Sequence, residues 1–98
     1  MRNYEILIIL DPEISEEDKE KRIEGIKNII ENNGEVLNIT KWGIRALAFE
    51  IKRKDKGYYI LIEFNSPEKL LMELDRELKL SKEVIRHCIV RVSSPKTL

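Results

Sequence analysis

The chain has 98 residues, which allows one small domain with a modest core. Its 18 lysines and arginines balance 18 aspartates and glutamates, which excludes a uniformly basic protein that coats nucleic acid by charge alone. No apolar run approaches the roughly 20 residues of a membrane helix. The single cysteine, Cys88, excludes an internal disulfide and suits a reducing compartment, so we expect a globular cytoplasmic protein with no membrane segment.

A strand and a helix are the first predicted elements. Residues 2–10 form the strand, and their continuous apolar run predicts a central strand that is covered on both faces. Ser15, followed three residues later by Asp18, predicts the start of a helix. We expect the polar first turns of this helix, residues 16–22, to lie in solvent. Gly34 predicts its end, because glycine can adopt the left-handed conformation of a helix C-cap.

A hairpin of two strands follows the helix. The long second strand, residues 35–52, contains Gly43 near its middle, which predicts a bulge or bend. Residues 52–57 form a predicted turn and residues 58–64 the third strand. Alternation along the third strand assigns one uncharged set to the side that faces the helices: Tyr58, Ile60, Ile62 and Phe64.

The second helix and a last strand complete the pattern. Ser66-Pro67 predicts the start of the helix, with serine as its N-cap. Its core stripe consists of Leu70, Leu71, Leu74 and Leu78. Residues 84–92 form the last strand, and residues 93–98 a short tail. The β-α-β-β-α-β order predicts one α+β ferredoxin-like sandwich over residues 1–92, a four-stranded antiparallel sheet with both helices on one face.

The other face of this sheet would be open. On the predicted strand phase it carries four apolar side chains from the two central strands: Leu7, Ile9, Tyr59 and Leu61. A concentrated apolar patch commonly meets a partner, although scattered apolar side chains are ordinary on protein surfaces. We expect these four residues to form a partner-binding surface.

Charge is distributed unevenly along the chain. Residues 1–33 carry 5 basic and 9 acidic side chains, residues 34–65 carry 6 and 4, and residues 66–98 carry 7 and 5. The first helix is therefore acidic, whereas the sheet, hairpin and tail lean basic. Such a separation can orient a protein on a polyanion. The lysines of the hairpin, residues 52–56, equally suit a solvated turn that discourages strand pairing.

No motif in the sequence indicates catalysis, a metal site or a cofactor. His87 is the lone histidine and has no second ligand at metal-binding spacing. Cys88 follows it on a strand, so the two side chains point to opposite faces, and we expect a buried or half-buried thiol. Glycine-rich phosphate loops and a nucleophile elbow are absent from the sequence. We therefore predict that the chain is not an enzyme.

Three kinds of binding protein stay open: a small RNA-binding or ribosomal component, a ligand-sensing regulatory domain, and an RRM-type reader of single-stranded RNA. Residues 56–58 match the start of an RRM motif, but Ile60 occupies its second aromatic position and Tyr58 is predicted to face the core. The ligand-sensing alternative lacks a glycine-rich turn, because the first strand–helix junction, residues 11–13, is acidic.

Three stretches of the chain resemble the bacterial small-subunit ribosomal protein S6 family: MRNYE at 1–5, WGIRALAFEI at 42–51 and KGYY at 56–59. The resemblance covers essentially the whole chain and departs from the family pattern at Ala46 and Phe49. It implies a structural role in the small subunit, in which the protein binds the central domain of 16S ribosomal RNA together with ribosomal protein S18. A basic partner would explain how a near-neutral chain binds RNA, and we expect the isolated protein to be a monomer.

Arginines are the first candidates for RNA contacts, because guanidinium groups suit phosphate. They are Arg2, Arg45, Arg86 and Arg91. His87 and Lys56 are weaker candidates. Trp42 could stack on a base, although an aromatic residue in a strand more often belongs to the core.

Overall fold

The computed structural model describes residues 1–92, and the predicted tail, 93–98, lies outside the described residues. In chain order the elements are β1 (Arg2–Leu10), α1 (Glu16–Asn33), β2 (Glu35–Ile51), β3 (Lys54–Ser66), α2 (Leu70–Leu80) and β4 (Val84–Val92). Within residues 1–92 the four strands form one antiparallel sheet in the order β2-β3-β1-β4. This is the predicted ferredoxin-like sandwich, with β1 in a central position. Neither helix in this range is long and apolar enough to cross a membrane.

One hydrophobic core fills the space between the sheet and the two helices. Its strand residues are Tyr4, Ile6, Ile8, Leu10, Ile60, Ile62, Phe64 and Val84. Its helix residues are Ile23, Ile26, Ile30, Leu70, Leu74 and Leu78. Tyr58 packs against the edge of this core, so the predicted phase of β3 is confirmed. The alternate residues of the strands form the other side of the sheet, which neither α1 nor α2 covers.

The cap of α1 is as predicted, but Lys19 and Arg22 of its first turns do not lie in solvent as expected. The Oγ of Ser15 accepts a hydrogen bond from the backbone N–H of Asp18 at 3.1 Å. Lys19 is buried rather than solvated, with its Nζ 3.2 Å from Glu16 Oε1 and 4.9 Å from the centroid of the Tyr58 ring. A lysine stem can cover apolar surface while its ammonium group contacts a carboxylate and an aromatic face.

The end of α1 needs glycine for its size rather than for a left-handed conformation. Gly34 has φ −155° and ψ −152°, which is extended backbone, and its N–H donates to the Ile30 carbonyl at 2.7 Å. A β-carbon at Gly34 would clash with the carbonyl oxygen of Asn65 and lie 2.8 Å from Cβ of Ser66. The predicted C-cap conformation is therefore wrong, because the chain passes too close to β3 for a side chain.

Ser66 is not the N-cap of α2, contrary to the prediction. It is the last residue of β3, it is fully buried, and its Oγ donates to the Pro67 carbonyl at 3.1 Å. A turn follows, in which the N–H of Leu70 donates to the carbonyl of Pro67 at 3.2 Å. The cap position belongs to Lys69, whose side chain makes no capping hydrogen bond. Ser66 is buried beside Gly34, so its side chain packs where α1 and β3 approach each other and does not cap α2.

The turn of the β2–β3 hairpin is shorter than predicted. It consists of Lys52 and Arg53 alone, and β3 begins at Lys54. Both turn residues have positive φ, 52° and 63°. Positive φ at both central residues is the mark of a type I′ turn, which matches the twist of a two-residue hairpin.

β2 pairs irregularly with β3. The bulge predicted at Gly43 is confirmed by a register shift between Lys41 and Gly43, where φ is 84°. A larger irregularity lies nearer the turn, where Ala46 pairs with Lys56 and Ile51 with Lys54, so residues 47–50 stand opposite a single residue of β3. This excess length displaces the end of β2 from the ladder and shapes the site described next.

Candidate protein and nucleic-acid interface

Three rows of side chains cross the uncovered side of the sheet, which we call the open face. In register across β4, β1 and β3 they are Arg86–Ile9–Tyr59, Cys88–Leu7–Leu61 and Val90–Glu5–Glu63. The first row lies toward the hairpin turn and begins with a cation, the second is apolar, and the third contains two acids. The open face therefore grades from basic through apolar to acidic along the strands.

Trp42 extends the open face onto β2. It is 42% exposed, and its ring stacks on Tyr59 with centroids 6.4 Å apart and planes 24° apart. The guanidinium carbon of Arg45 lies 5.8 Å from the Trp42 ring centroid. The expectation of a core tryptophan is wrong, because β2 is an outer strand and Trp42 lies on the side away from the helices. The bulge at Gly43 brings tryptophan, tyrosine and arginine into one stack.

The four residues predicted to bind a partner all lie on the open face, but they differ in how much of each side chain is exposed. Leu7, Tyr59 and Leu61 are half-buried. Ile9 is only 7% exposed, and a β-carbon at Gly57 would clash with its Cγ2 atom. Ile9 therefore packs into space that the glycine leaves free and offers little surface to another molecule.

An open cleft of about 250 Å³, the hairpin cleft, lies between the displaced end of β2 and the first two rows. Leu47, Ala48, Phe49 and Ile51 form one wall, and Leu7, Ile9, Tyr59, Arg86, His87 and Cys88 line the rest. Phe49 is 65% exposed, so an aromatic ring stands at the edge of an apolar recess. Sequence reasoning missed this wall, because regular alternation gives no sign that residues 47–50 leave the ladder.

Cys88 is exposed, which corrects the expectation of a buried or half-buried thiol. It lies in the middle row of the open face, opposite Leu7. The predicted alternation with His87 is correct, because His87 pairs in register with Ile8 and shares the side that faces the helices. The thiol is exposed because nothing within residues 1–92 covers that row.

The predicted RNA-binding residues fall into separate groups. Arg45 and Arg86 lie on the open face toward the hairpin. Lys56 is exposed near the same end of β3, but it is in phase with Tyr58 and so lies on the helix-facing side. Arg2 and Arg91 lie at the other end of the sheet, on its helix-facing side. Arg91 pairs in register with Tyr4. The guanidinium group of Arg2 lies 3.8 Å from Glu68.

His87 is already engaged by a carboxylate. Its Nε2 lies 2.8 Å from Oδ1 of Asp75, and its side chain is 13% exposed. Oδ2 of the same carboxylate lies 2.9 Å from Nζ of Lys79. Hydrogen bonds from His87 first and Lys79 second lower the pKa of Asp75 below its ordinary 3.8. The imidazole is thus held against α2, away from the open face.

Acids of α1 and of the loop before it neutralise two lysines of the hairpin. Nζ of Lys41 lies 2.7 Å from Glu20, and Nζ of Lys54 lies 3.1 Å from Glu13 and 3.4 Å from Asp11. The hydrogen bond that Nζ of Lys54 donates to Glu13 is the main cause that raises the pKa of Lys54. Part of the basic lean of the hairpin is therefore neutralised inside the molecule, and fewer cations face outward than the sequence count suggests.

The chain is similar to proteins of the small ribosomal subunit. The Ribosomal protein S6 family model matches residues 3–91. Small ribosomal subunit protein bS6 of Thermoanaerobacter pseudethanolicus is 48% identical over 92 residues, which cover 93% of this chain and 97% of the relative. The bS6 protein of Alkaliphilus metalliredigens is 45% identical over 92 residues, with coverages of 94% and 98%. The crystal structure of 30S ribosomal protein S6 from Thermotoga maritima superposes with a TM-score of 0.88 at 33% identity, covering 93% of this chain and 87% of that chain.

Proposed function

Because the chain belongs to the ribosomal protein S6 family of the small ribosomal subunit, we propose that it binds 16S ribosomal RNA jointly with ribosomal protein S18. The family predicted from residues 1–5, 42–51 and 56–59 is confirmed, and with it membership of the small ribosomal subunit. The proposed role is structural: the protein holds the central domain of the RNA and its partner protein in one assembly, which requires no catalytic group.

The grading of the open face is the observation that carries this proposal. Its middle is apolar and half-buried, which suits a protein partner that excludes water. Arg45 and Arg86 stand at the hairpin end, where guanidinium groups can bind phosphate oxygens. Glu5 and Glu63 stand at the opposite end, where they would repel RNA and favour a basic protein. One face thus offers adjoining surfaces of different chemistry to two partners.

Joint binding also fits the electrostatics of the chain. The net charge is zero, and acids of α1 and the preceding loop pair with Lys41 and Lys54. Affinity for RNA rises with the number of phosphates that a protein neutralises. A chain whose net charge is zero and whose acids neutralise part of its hairpin therefore binds weakly alone and needs a partner that supplies further positive charge and contact area.

The proposal is tested by binding to a transcript of the central domain of 16S ribosomal RNA. The chain alone should bind weakly, S18 alone should bind weakly, and the two together should bind tightly. The slope of log affinity against log salt for the chain's own contribution should be shallow, because it binds few phosphates. Tight binding by the chain alone with a steep salt slope would contradict joint docking, and so would an affinity that S18 leaves unchanged.

A further inference from the structure

A second cleft, of about 240 Å³, lies where the hairpin turn meets the end of α2 and the start of β4. We call it the basic cleft, because four of its lining residues are of basic type: Lys52, Lys79, Arg86 and His87. The turn is anchored to it, since Nζ of Lys52 donates to the carbonyl oxygen of Val84 at 3.5 Å. Arg86 lines both this cleft and the hairpin cleft.

The positive charge of the basic cleft is only partly neutralised. Asp75 is the acid in contact with its lining, and this carboxylate binds both Lys79 and His87. Lys52 and Arg86 are exposed, and neither forms an ion pair with a carboxylate in residues 1–92. Two unpaired cations on neighbouring segments therefore face one recess.

The conformation of the turn is a second, independent observation. Lys52 and Arg53 both have positive φ, which asparagine and glycine adopt with much less strain. A chain selected for a stable hairpin alone would favour Asn-Gly at these two positions. Backbone strain that is retained by the surrounding structure commonly marks a functional position. The strain here holds Lys52 against the basic cleft and Arg53 next to it in the turn.

We propose that the basic cleft binds a phosphate group of the ribosomal RNA backbone, an inference that rests on the proposed function and deepens it. The Arg86 guanidinium group donates paired hydrogen bonds to phosphate oxygens, and the Lys52 ammonium group supplies a second charge. Arg53 faces the approaching backbone from the turn. The cleft thus adds Lys52, and the adjacent turn adds Arg53, to the RNA-binding residues proposed from the sequence, while the apolar rows remain for the protein partner.

The decisive variant combines Lys52→Asn with Arg53→Gly, which installs the residues that a type I′ turn favours. The melting temperature should stay the same or rise, because the backbone strain is relieved. Affinity for the central-domain transcript, measured with S18 present, should fall about tenfold. The salt slope should become shallower by about one to two, since the variant removes the second charge at the cleft phosphate and the Arg53 charge beside it, while Arg86 remains. A loss of RNA affinity in this variant therefore cannot be explained by a loss of stability.

Two further variants complete the design. Lys52→Gln with Arg53→Gln removes both charges and leaves the turn strained, so it should lose the same affinity without a gain in melting temperature. Lys69→Gln removes an exposed lysine at the other end of α2 and should leave affinity and salt slope unchanged. Unchanged RNA binding by both turn variants would overturn the phosphate site.

Failure of the site is distinguishable from failure of the proposed function. If the unmodified chain and S18 together do not bind the transcript, the proposed function fails and the site with it. If they bind, and the turn variants weaken binding to S18 in the absence of RNA, the turn contacts the protein partner and the phosphate site is wrong. If the turn variants bind S18 normally but bind the RNA more weakly, the phosphate site is supported.

Discussion

Nε2 of His87 on β4 lies 2.8 Å from Oδ1 of Asp75 on α2, so a side-chain bond ties the outer strand of the sheet to the helix above it. Lys79, one turn further along α2, holds the other carboxylate oxygen at 2.9 Å. Both partners favour the charged form of the carboxylate and lower the pKa of Asp75 below 3.8. The strength of the Asp75–His87 interaction therefore depends on pH.

We expect the stabilisation from this carboxylate to be complete well above pH 3.8 and to disappear as the pH falls below that value. The sign follows because a carboxyl group whose pKa is lower in the folded state binds protons more readily when unfolded. Asp75→Asn should destabilise the protein at pH 6, measured by urea unfolding, and the difference should shrink toward pH 2.5. A difference that is the same at both pH values would show that charge plays no part.

Gly34→Ala should lower the free energy of unfolding by about 1–3 kcal/mol, because its β-carbon meets the backbone of β3 and Cβ of Ser66. Gly25→Ala is the matched control, since a β-carbon at Gly25 on α1 has no heavy atom within 4 Å. That change should raise the free energy of unfolding by about 0.5–1 kcal/mol, through the higher helix propensity of alanine. Equal effects of the two substitutions in urea unfolding would refute the close approach at Gly34.

Arg45→Gln combined with Arg86→Gln should weaken binding to the central-domain transcript while leaving affinity for S18 alone unchanged. The physical reason is that both guanidinium groups stand at the basic end of the open face. The salt slope should become shallower by about two. Arg76→Gln, an exposed arginine on α2, is the control and should change neither quantity. A loss of S18 binding in the double variant would place the protein partner at the arginine end instead.

Tyr59→Ser and Leu61→Ser should weaken binding to S18 in a titration without RNA, because each removes apolar area from the middle of the open face. Both side chains are half-buried, so each change should lower the free energy of unfolding by only about 1–2 kcal/mol. Leu74→Ala, in the core beneath α2, is the contrast, since it should lower that free energy by about 2–5 kcal/mol. Folded serine variants with full affinity for S18 would exclude this part of the face.

The fold is largely predictable because its strands and helices follow regular periods. The bounds of β1 and β4, the cap at Ser15 and the bulge at Gly43 all follow from local patterns that act over a few residues. The partial match to an RRM motif does not place its first tyrosine on the open face, since Tyr58 packs against the core. These features depend on neighbours in sequence.

The errors concern contacts between distant segments. Local rules assign Gly34 and Ser66 to helix caps, yet both are determined by the close approach of α1 to the end of β3. Lys19 of α1 is buried against Tyr58, which lies far away in sequence on β3. The candidate site shows the same limit. Sequence patterns identify Arg86 and Tyr59 singly, but Phe49 and Lys52 gain their positions from residues 47–50 leaving the ladder, which no periodic pattern reveals.

β2 is an outer strand of 17 residues, and its free edge carries backbone donors and acceptors that could pair with a strand of another copy. A straight edge of that length would be a template for aggregation and fibril growth. Its ladder with β3 is broken at three places: between Val36 and Asn38, Lys41 and Gly43, and Ala46 and Ile51. The irregularities that shape the hairpin cleft also bend the strand, and a bent edge is a poorer template for pairing with a second copy than a straight one.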